Sequence, residues 1–209
     1  MSASDRLDAD QIRAALGSAI IGREVTILQQ TSSTNDEIAE LAKAGHPEGA
    51  VVFAEHQTAG RGQRGNTWES AANKGLWLSI LLRPEIRVQD SGMLTSWAAR
   101  TVATTIDQFC QIETRVKPPN DVYIVDRKVA GVLVEMKAQP ESAHIAILGV
   151  GINVNQVRSD FPEPLQGRAT SLLLATGHAC DRTSLAAALL GNFDRTYRNL
   201  AGTQSAQRL

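Results

Sequence analysis

The chain has 209 residues, 21 lysines and arginines against 22 aspartates and glutamates, 43% hydrophobic residues and two cysteines. That length suits one globular domain with a sizeable core, and near-zero net charge argues against non-specific binding to nucleic acid or a membrane surface, so any anion site has to be local. No basic start followed by an apolar run suggests a signal peptide, and no apolar stretch is long enough to span a bilayer, which leaves a reducing cytoplasm as the default setting. Cys110 and Cys180 have neither C-x-x-C nor metal-ligand spacing; Cys110 reads as a small apolar core residue, and disulfide or zinc readings are weak.

In chain order, Leu7, Ile12, Ala15, Leu16 and Ala19 predict a short amphipathic helix over Leu7 to Ala19, stopped between Gly17 and Gly22. Glu24 to Gln29 reads as a strand. In the TSSTNDEIAELAKAG that follows, Ser33 or Thr34 is placed to cap a helix with acids in its first turn and an end at Gly45. Ala50 to Glu55 is a second strand, and Leu76 to Leu82 a buried one stopped by Pro84. Asp90 to Cys110 is a long helix with an apolar stripe through Met93, Leu94, Trp97, Ala98, Val102, Ile106 and Phe109. The pattern then turns β-like over Thr114 to Lys117, Val122 to Val125 and Lys128 to Lys137, the last two joined as a hairpin at Asp126-Arg127. Ala143 to Val154 is another strand, Ser184 to Leu200 a closing amphipathic helix, and the tail after Ala201 reads as disordered. This order predicts an α+β fold, a mixed and largely antiparallel sheet with helices packed on one side, rather than alternating βαβ units.

Chemistry concentrates in Gln57 to Trp68, QTAGRGQRGNTW, a loop with no acidic residue. Gly60, Gly62 and Gly65 permit positive φ and close approach of backbone to a ligand, while Arg61 and Arg64 carry forked guanidinium donors that match carboxylate or phosphate oxygens. The loop reads as an anion clamp, against the bland alternative of a solvated loop with two surface arginines. Its glycines also fit G-x-G-x-x-G, but the dinucleotide fingerprint needs a helix opening on the third glycine. Asn66 to Gly75 is polar and without apolar periodicity, so that reading fails.

Three further segments add candidates. KPPND, Lys117 to Asp121, joins two strands through prolines that aim Lys117, Asn120 and Asp121 in fixed directions, although alone it would be a generic turn. Lys128 opens a strand, where a lysine is more often a snorkelling edge residue; Gly131 leaves room for a ligand against that strand. GVGINVN, Gly149 to Asn155, ends a strand with two amides and with Gly149 and Gly151 where something must approach the backbone, although alone it would be a turn.

The order of these segments, STN, QTAGRGxRGxxW, K-x-PND, RKVAGVLVE and GVGINVN, resembles the catalytic domain of biotin protein ligases from Val25 to Asn155, with looser agreement over residues 156 to 200. That family shares an ancestral fold with lipoate ligases and class II aminoacyl-tRNA synthetases. The resemblance implies one catalytic domain over residues 1–200, a cytoplasmic enzyme, and two substrates, biotin and ATP with Mg²⁺, with no protein-held metal. It further implies biotinoyl-5′-AMP formation with release of pyrophosphate, then transfer to a lysine of a biotin carboxyl carrier protein or domain. The chain would be a monomer or homodimer without a nucleic-acid or membrane partner.

Residue by residue, the resemblance implies that Ser33, Thr34, Asn35 and Gln57 serve the biotin head group. Gly60, Arg61 and Gly62 belong to the loop that closes over biotin and its adenylate, Trp77 is an aromatic wall beside biotin, and Gly131 and Gly149 line its cavity. Arg64, Lys117, Asn120, Asp121 and Asn153 fall on the nucleotide side, and Trp68 is the tryptophan on which adenine packs. Lys128 stands between the biotin carboxylate and the α-phosphate and is, with Arg61 and Lys117, the catalytic choice.

Two departures stand out. Relatives commonly read GRGRRGR, where this chain has Gln63 and Asn66, and KWPND, where it has Pro118. A neutral amide in place of a guanidinium is expected to weaken retention of the acyl-adenylate. Nothing before the first helix reads as a DNA-binding helix-turn-helix, and no SH3-like barrel is expected after Leu200. The alternatives are a lipoate or octanoate transferase of the same fold and a non-catalytic biotin-binding paralogue.

Overall fold

The computed structural model describes residues 6–139 and 144–205, with side chains through residue 198. Seven apolar or alternating segments become strands: β1 Val25–Leu28, β2 Val51–Ala54, β3 Gly75–Leu82, β4 Arg115–Lys117, β5 Asp121–Ile124, β6 Arg127–Lys137 and β7 Ile145–Asn153. They form one sheet in the order β1-β2-β3-β7-β6-β5-β4. Only β1 and β2 run parallel; every other neighbouring pair is antiparallel.

The period of two along the central strands sorts side chains onto two faces. Leu76, Leu78, Ile80 and Leu82 of β3 and Ala146, Leu148, Val150 and Ile152 of β7 enter the main core. There they meet Ile12 of α1 (Ala9–Leu16), Leu94, Ala98 and Val102 of α3 (Ser91–Cys110), and Leu185, Leu189 and Phe193 of α5 (Arg182–Ser205). The intervening Leu81, Ile145 and Ile147, with Val52, pack instead on Ile38 and Ala42 of α2 (Thr34–Lys43). Helices therefore lie on both faces, correcting the one-sided expectation, and α2 shares its face with the residues described below.

Local chemistry trims several predicted limits. Asp8 accepts from the amides of Asp10 and Gln11, so α1 starts after it, and Gly17 at φ 59° ends the helix. The C-cap of α2 is Ala44, one residue before Gly45. Val125, at φ 54°, leaves β5 for the turn, and Arg127 opens β6. A one-turn helix, α4 (Leu172–Thr176), was not foreseen. Residues 201–205 continue α5 instead of forming a disordered tail; residues 206–209, and Ala143 of the seventh predicted strand, lie outside the described residues. Cys110 packs at the edge of the main core as expected, with its Sγ 4.0 Å from that of Cys180. Among the described residues, no helix is long and apolar enough to cross a membrane.

Candidate functional site

The antiparallel register builds the floor. Lys117 of β4 pairs with Asp121 of β5, Asp121 with Gly131 of β6, Gly131 with Gly151 of β7, and Gly151 with Trp77 of β3. Directly paired residues share a sheet face, so these five form one cross-strand row. The next row contains Leu133, Gly149 and Ser79. Three glycines in adjacent rows remove side chains from the α2 face and leave a trough.

A β-bulge brings Lys128 to this face. Tyr123 pairs with Lys128 but Val122 pairs with Ala130, leaving Val129 as the extra residue. An extra residue reverses the alternation beyond it, so Lys128 faces the same way as Gly131 and Asp121, three positions from the glycine, while Val129 and Ala130 both enter the core. Lys128 Nζ sits 2.6 Å from Asp121 Oδ1 and 5.1 Å from the Trp68 ring centroid. In a regular strand it would point into the apolar layer. The bulge is the feature that makes it available for chemistry.

A chain of polar side chains crosses the trough beside α2. Gln57 Nε2 donates to Ser70 Oγ at 3.3 Å, and Gln57 Oε1 accepts from the Thr34 amide at 2.8 Å. Gln57 thus caps the first turn of α2, a task Ser33 leaves undone as N-cap. Thr34 Oγ1 lies 2.7 Å from Ser79 Oγ, which donates to Asn35 Oδ1 at 2.5 Å, and Asn35 Nδ2 donates to Glu135 Oε2 at 2.5 Å. With the Ser79 proton committed to Asn35, Ser79 accepts from Thr34, whose single hydroxyl proton is shared between Ser79 and Gln57 Oε1 at 3.1 Å, and Thr34 Oγ1 keeps acceptor capacity. A Cβ on Gly149 would stand 2.4 Å from Asn35 Oδ1, which is why that position is glycine.

Arg61 closes the basic loop onto this chain. Its Nη1 donates to both Asp36 oxygens at 2.7 and 2.9 Å, and its Nη2 to Glu135 Oε2 at 3.3 Å. Burial works against its charge, but Asp36 and Glu135 outweigh that and hold its pKa above the ordinary arginine value. Arg61 is therefore a latch from the loop to α2 and β6 as well as a cation. Arg64, at φ 57°, and Gly65, at φ 79°, reverse the loop; Gly65 is required by that conformation. Gly60 answers to a different constraint, since a Cβ there would stand 2.5 Å from the Trp68 carbonyl oxygen. Arg64 makes no ion pair among the described residues.

Trp68 lies in the trough. A Cβ on Gly151 or Gly131 would meet its indole at 2.5 and 2.8 Å, and its ring meets that of Trp77 edge to face at 6.1 Å. Nε1 of both tryptophans is buried without a hydrogen-bond partner among the described residues.

The resulting cavity, about 310 Å³, is lined by Ser33, Thr34, Asn35, Gln57, Arg61, Gly62, Arg64, Trp68, Lys117, Asn120, Asp121, Lys128, Gly131 and Gly149. Gly60, Trp77 and Asn153 are not in its wall. Trp77 is fully buried behind Trp68, and Asn153 is occupied with the Thr170 carbonyl and Gln156. Sequence reasoning named Gly149 and Gly151 as points where something approaches the backbone, and Asn35 and Trp68 are what approaches them; it missed Ser79, Leu133 and the Asp36–Glu135 latch. Thus one wall offers neutral hydroxyls and amides, the other offers Lys117 and Lys128, and the basic loop arches above. This is a site for a small polar-headed molecule beside an anion.

The comparisons with known proteins make that class specific. Residues 27–153 match the model of the biotin/lipoate A/B protein ligase family, and the chain belongs to that family. It is 39% identical over 194 residues to the bifunctional ligase/repressor BirA of Bacillus subtilis, covering 93% of this chain and 60% of that protein. It is 37% identical over 200 residues to the biotin–[acetyl-CoA-carboxylase] ligase of Mycobacterium tuberculosis, covering 91% of this chain and 72% of that one. The chain thus spans about three fifths of the length of the Bacillus relative. Among solved structures, the biotin protein ligase of Aquifex aeolicus in complex with biotin and ATP superposes with a TM-score of 0.72 at 31% identity, over 86% of this chain and 72% of that one.

Proposed function

We propose that this chain is an ATP-dependent biotin protein ligase. It forms biotinoyl-5′-AMP and pyrophosphate from biotin and ATP, then transfers the biotinoyl group to a lysine of a biotin carboxyl carrier protein or domain. The observation that carries this reading is the pairing, over one glycine-floored strip of sheet, of a neutral hydrogen-bonding wall with a cationic one, in a member of this family. Residues 1–200 are read as one catalytic domain, acting in the cytoplasm.

Ser33, Thr34, Asn35 and Gln57 take the ureido ring, whose one carbonyl and two N–H groups need short donors and acceptors held in fixed orientation. The polar chain through Ser79 supports that fixed orientation. Gly131 and Gly149 leave room for the fused rings, Gly60, Arg61 and Gly62 form the loop above them, and Trp77 backs the pocket through Trp68. Arg64, Trp68, Lys117, Asn120 and Asp121 serve the nucleotide, and Asn153 supports the end of β7 beneath it.

Adenylation brings a carboxylate against an α-phosphate, two anions that repel until cations neutralise them. Lys128 is the residue whose charge falls on the reacting oxygens. Its pairing with Asp121 holds the ammonium ready over the trough, and Lys117 and Arg61 add positive potential on either side. Mg²⁺ arrives as the partner of ATP, since a hard cation on phosphate oxygens needs one or two protein carboxylates, and Asp121 is the carboxylate in the wall. That ion supplies further charge neutralisation when bound. The mixed anhydride must then be kept from water until the carrier lysine attacks, which the Arg61-latched loop is placed to do.

The test is pyrophosphate release from the purified protein with Mg-ATP and biotin, lipoate or octanoate in turn. Release with biotin alone is expected. Release only with lipoate or octanoate would assign the chain to a lipoate-ligating branch, and silence with all three would leave an ATP-independent acyl transferase or a binding protein.

A further inference from the structure

The chain has two cysteines, 70 positions apart, and the fold brings them into contact on the side of the sheet away from the cavity. Cys110 is the last residue of α3, and Cys180 precedes α5; both are half-buried, with Sγ atoms 4.0 Å apart. Cys180 is held by an exchange of hydrogen bonds with Asn155, its amide donating to Asn155 Oδ1 at 2.9 Å and its carbonyl accepting from Asn155 Nδ2 at 2.8 Å. Asn155 is the amide of GVGINVN left over once Asn153 is placed, and its own amide is fixed to the Lys74 carbonyl at 2.6 Å. The segment carrying Cys180 is therefore anchored to the end of the sheet. Cys110 has the opposite character, lying where the helix ends and Gln111 turns into the left-handed region at φ 54°.

We propose that Cys110 and Cys180 form a reversible disulfide, a redox modification site on the helical layer. A bond needs the sulfurs, 4.0 Å apart, to close to about 2 Å, an approach that the Cys110 side chain, on the last residue of the helix, would make by rotation. Contact with Cys180, together with burial, pushes the Cys110 thiol well above the ordinary thiol range; Cys180, whose sulfur also meets the His178 carbonyl oxygen on an exposed stretch, opens the exchange. Its thiolate attacks one sulfur of a small disulfide such as oxidised glutathione and expels one glutathione thiolate, leaving a mixed disulfide. The Cys110 thiolate then attacks the Cys180 sulfur and expels the second glutathione. Two protein thiols are oxidised, one glutathione disulfide is reduced to two thiols, and the two protons pass to the leaving thiolates. In a reducing compartment the pair stays as thiols until the glutathione pool is oxidised.

The bridge would close a loop of about 70 residues and tie α3 to the segment ahead of α5 without touching the cavity on the opposite face. Expected consequences are a rise in the melting temperature of roughly 10 °C, from the entropy removed from the unfolded chain, and unchanged pyrophosphate release at room temperature. The experiment incubates the full chain, Cys110→Ser and Cys180→Ser with oxidised glutathione, then measures intact mass and thermal melting before and after dithiothreitol. The parent chain should lose two hydrogen atoms without retaining glutathione and melt higher, both reversed by dithiothreitol, while Cys110→Ser keeps one glutathionyl group on Cys180 and Cys180→Ser takes up less than Cys110→Ser. A parent chain that retains glutathionyl adducts, keeps two alkylatable thiols or links into dimers would overturn the proposal.

Discussion

Alanine at Gly151 would place a Cβ 2.5 Å from the nearest atom of the Trp68 indole, with two more ring atoms inside 2.8 Å. Such contacts are ordinary only from about 3.4 Å outward, so the ring has to retreat by roughly an ångström. Retreat loosens the edge contact with Trp77, worth about 0.5–1.5 kcal/mol, and the contact with the Lys128 ammonium, worth about 0.5–1 kcal/mol where part-exposed. Together these predict a loss of about 1–2.5 kcal/mol, in line with the cost of overpacking. Gly151 does not have a positive φ, so the loss is steric and belongs to the pair. Urea unfolding of Gly151→Ala, Trp68→Ala and the double variant measures it: Gly151→Ala should be costly alone and nearly neutral beside Trp68→Ala, with a coupling of about 1–2.5 kcal/mol. The tryptophan emission of Gly151→Ala should also shift to the red as Trp68 leaves the trough. An additive cycle with unchanged emission would refute the idea that this glycine is the seat of the indole.

Lys128→Ala should lower adenylate formation by at least about a hundredfold while shifting stability by less than about 1 kcal/mol, because its pair with Asp121 is partly exposed; stopped-assay rates and urea curves separate the two. Gln63 lines the cavity, and Gln63→Arg should slow escape of the acyl-adenylate by about tenfold to a hundredfold, the equivalent of one charged hydrogen bond at ~1.5–3 kcal/mol, read as a dissociation rate. Arg182, fully buried, donates to Glu55 at 2.6 Å, and Glu55 also accepts the Leu7 amide. Arg182→Met should therefore cost about 3–5 kcal/mol in urea unfolding by stranding a carboxylate. Arg61 has its pKa raised by Asp36 and Glu135, so its stabilising contribution is complete below the unfolded arginine pKa and lost only above the folded one; the loop latch should show no pH dependence between pH 6 and 9 by proteolysis of the loop.

Much of this was legible before any coordinates. The runs at Leu76 to Leu82 and Lys128 to Lys137 are short, apolar, rich in strand-forming residues and sharply bounded, which reads as buried strand without any alternation, and the loop after β2 announces itself by composition. Several features were hidden because they depend on pairing between distant segments. The bulge at Val129 has no local signature, yet it decides that Lys128 faces the cavity rather than the core. The row from Lys117 to Trp77 exists only once four strand pairs are in register. Trp77 sits in an apolar run that predicts burial as readily as a pocket wall, and burial won. α2 was expected beside the other helices, but Ile38 and Ala42 pack with the residues of β3 and β7 that alternate away from the main core. The contact of Cys110 with Cys180 follows from where α3 ends and α5 begins, which spacing along the chain does not reveal.

The most direct measurement is native mass spectrometry of the purified chain after incubation with Mg-ATP and biotin, beside Lys128→Ala treated identically. The account predicts one biotinoyl-5′-AMP held per chain in the parent protein and none in the variant, with both folded. Biotin and ATP held side by side without conversion in the parent chain would contradict it and identify a binding protein in place of a ligase.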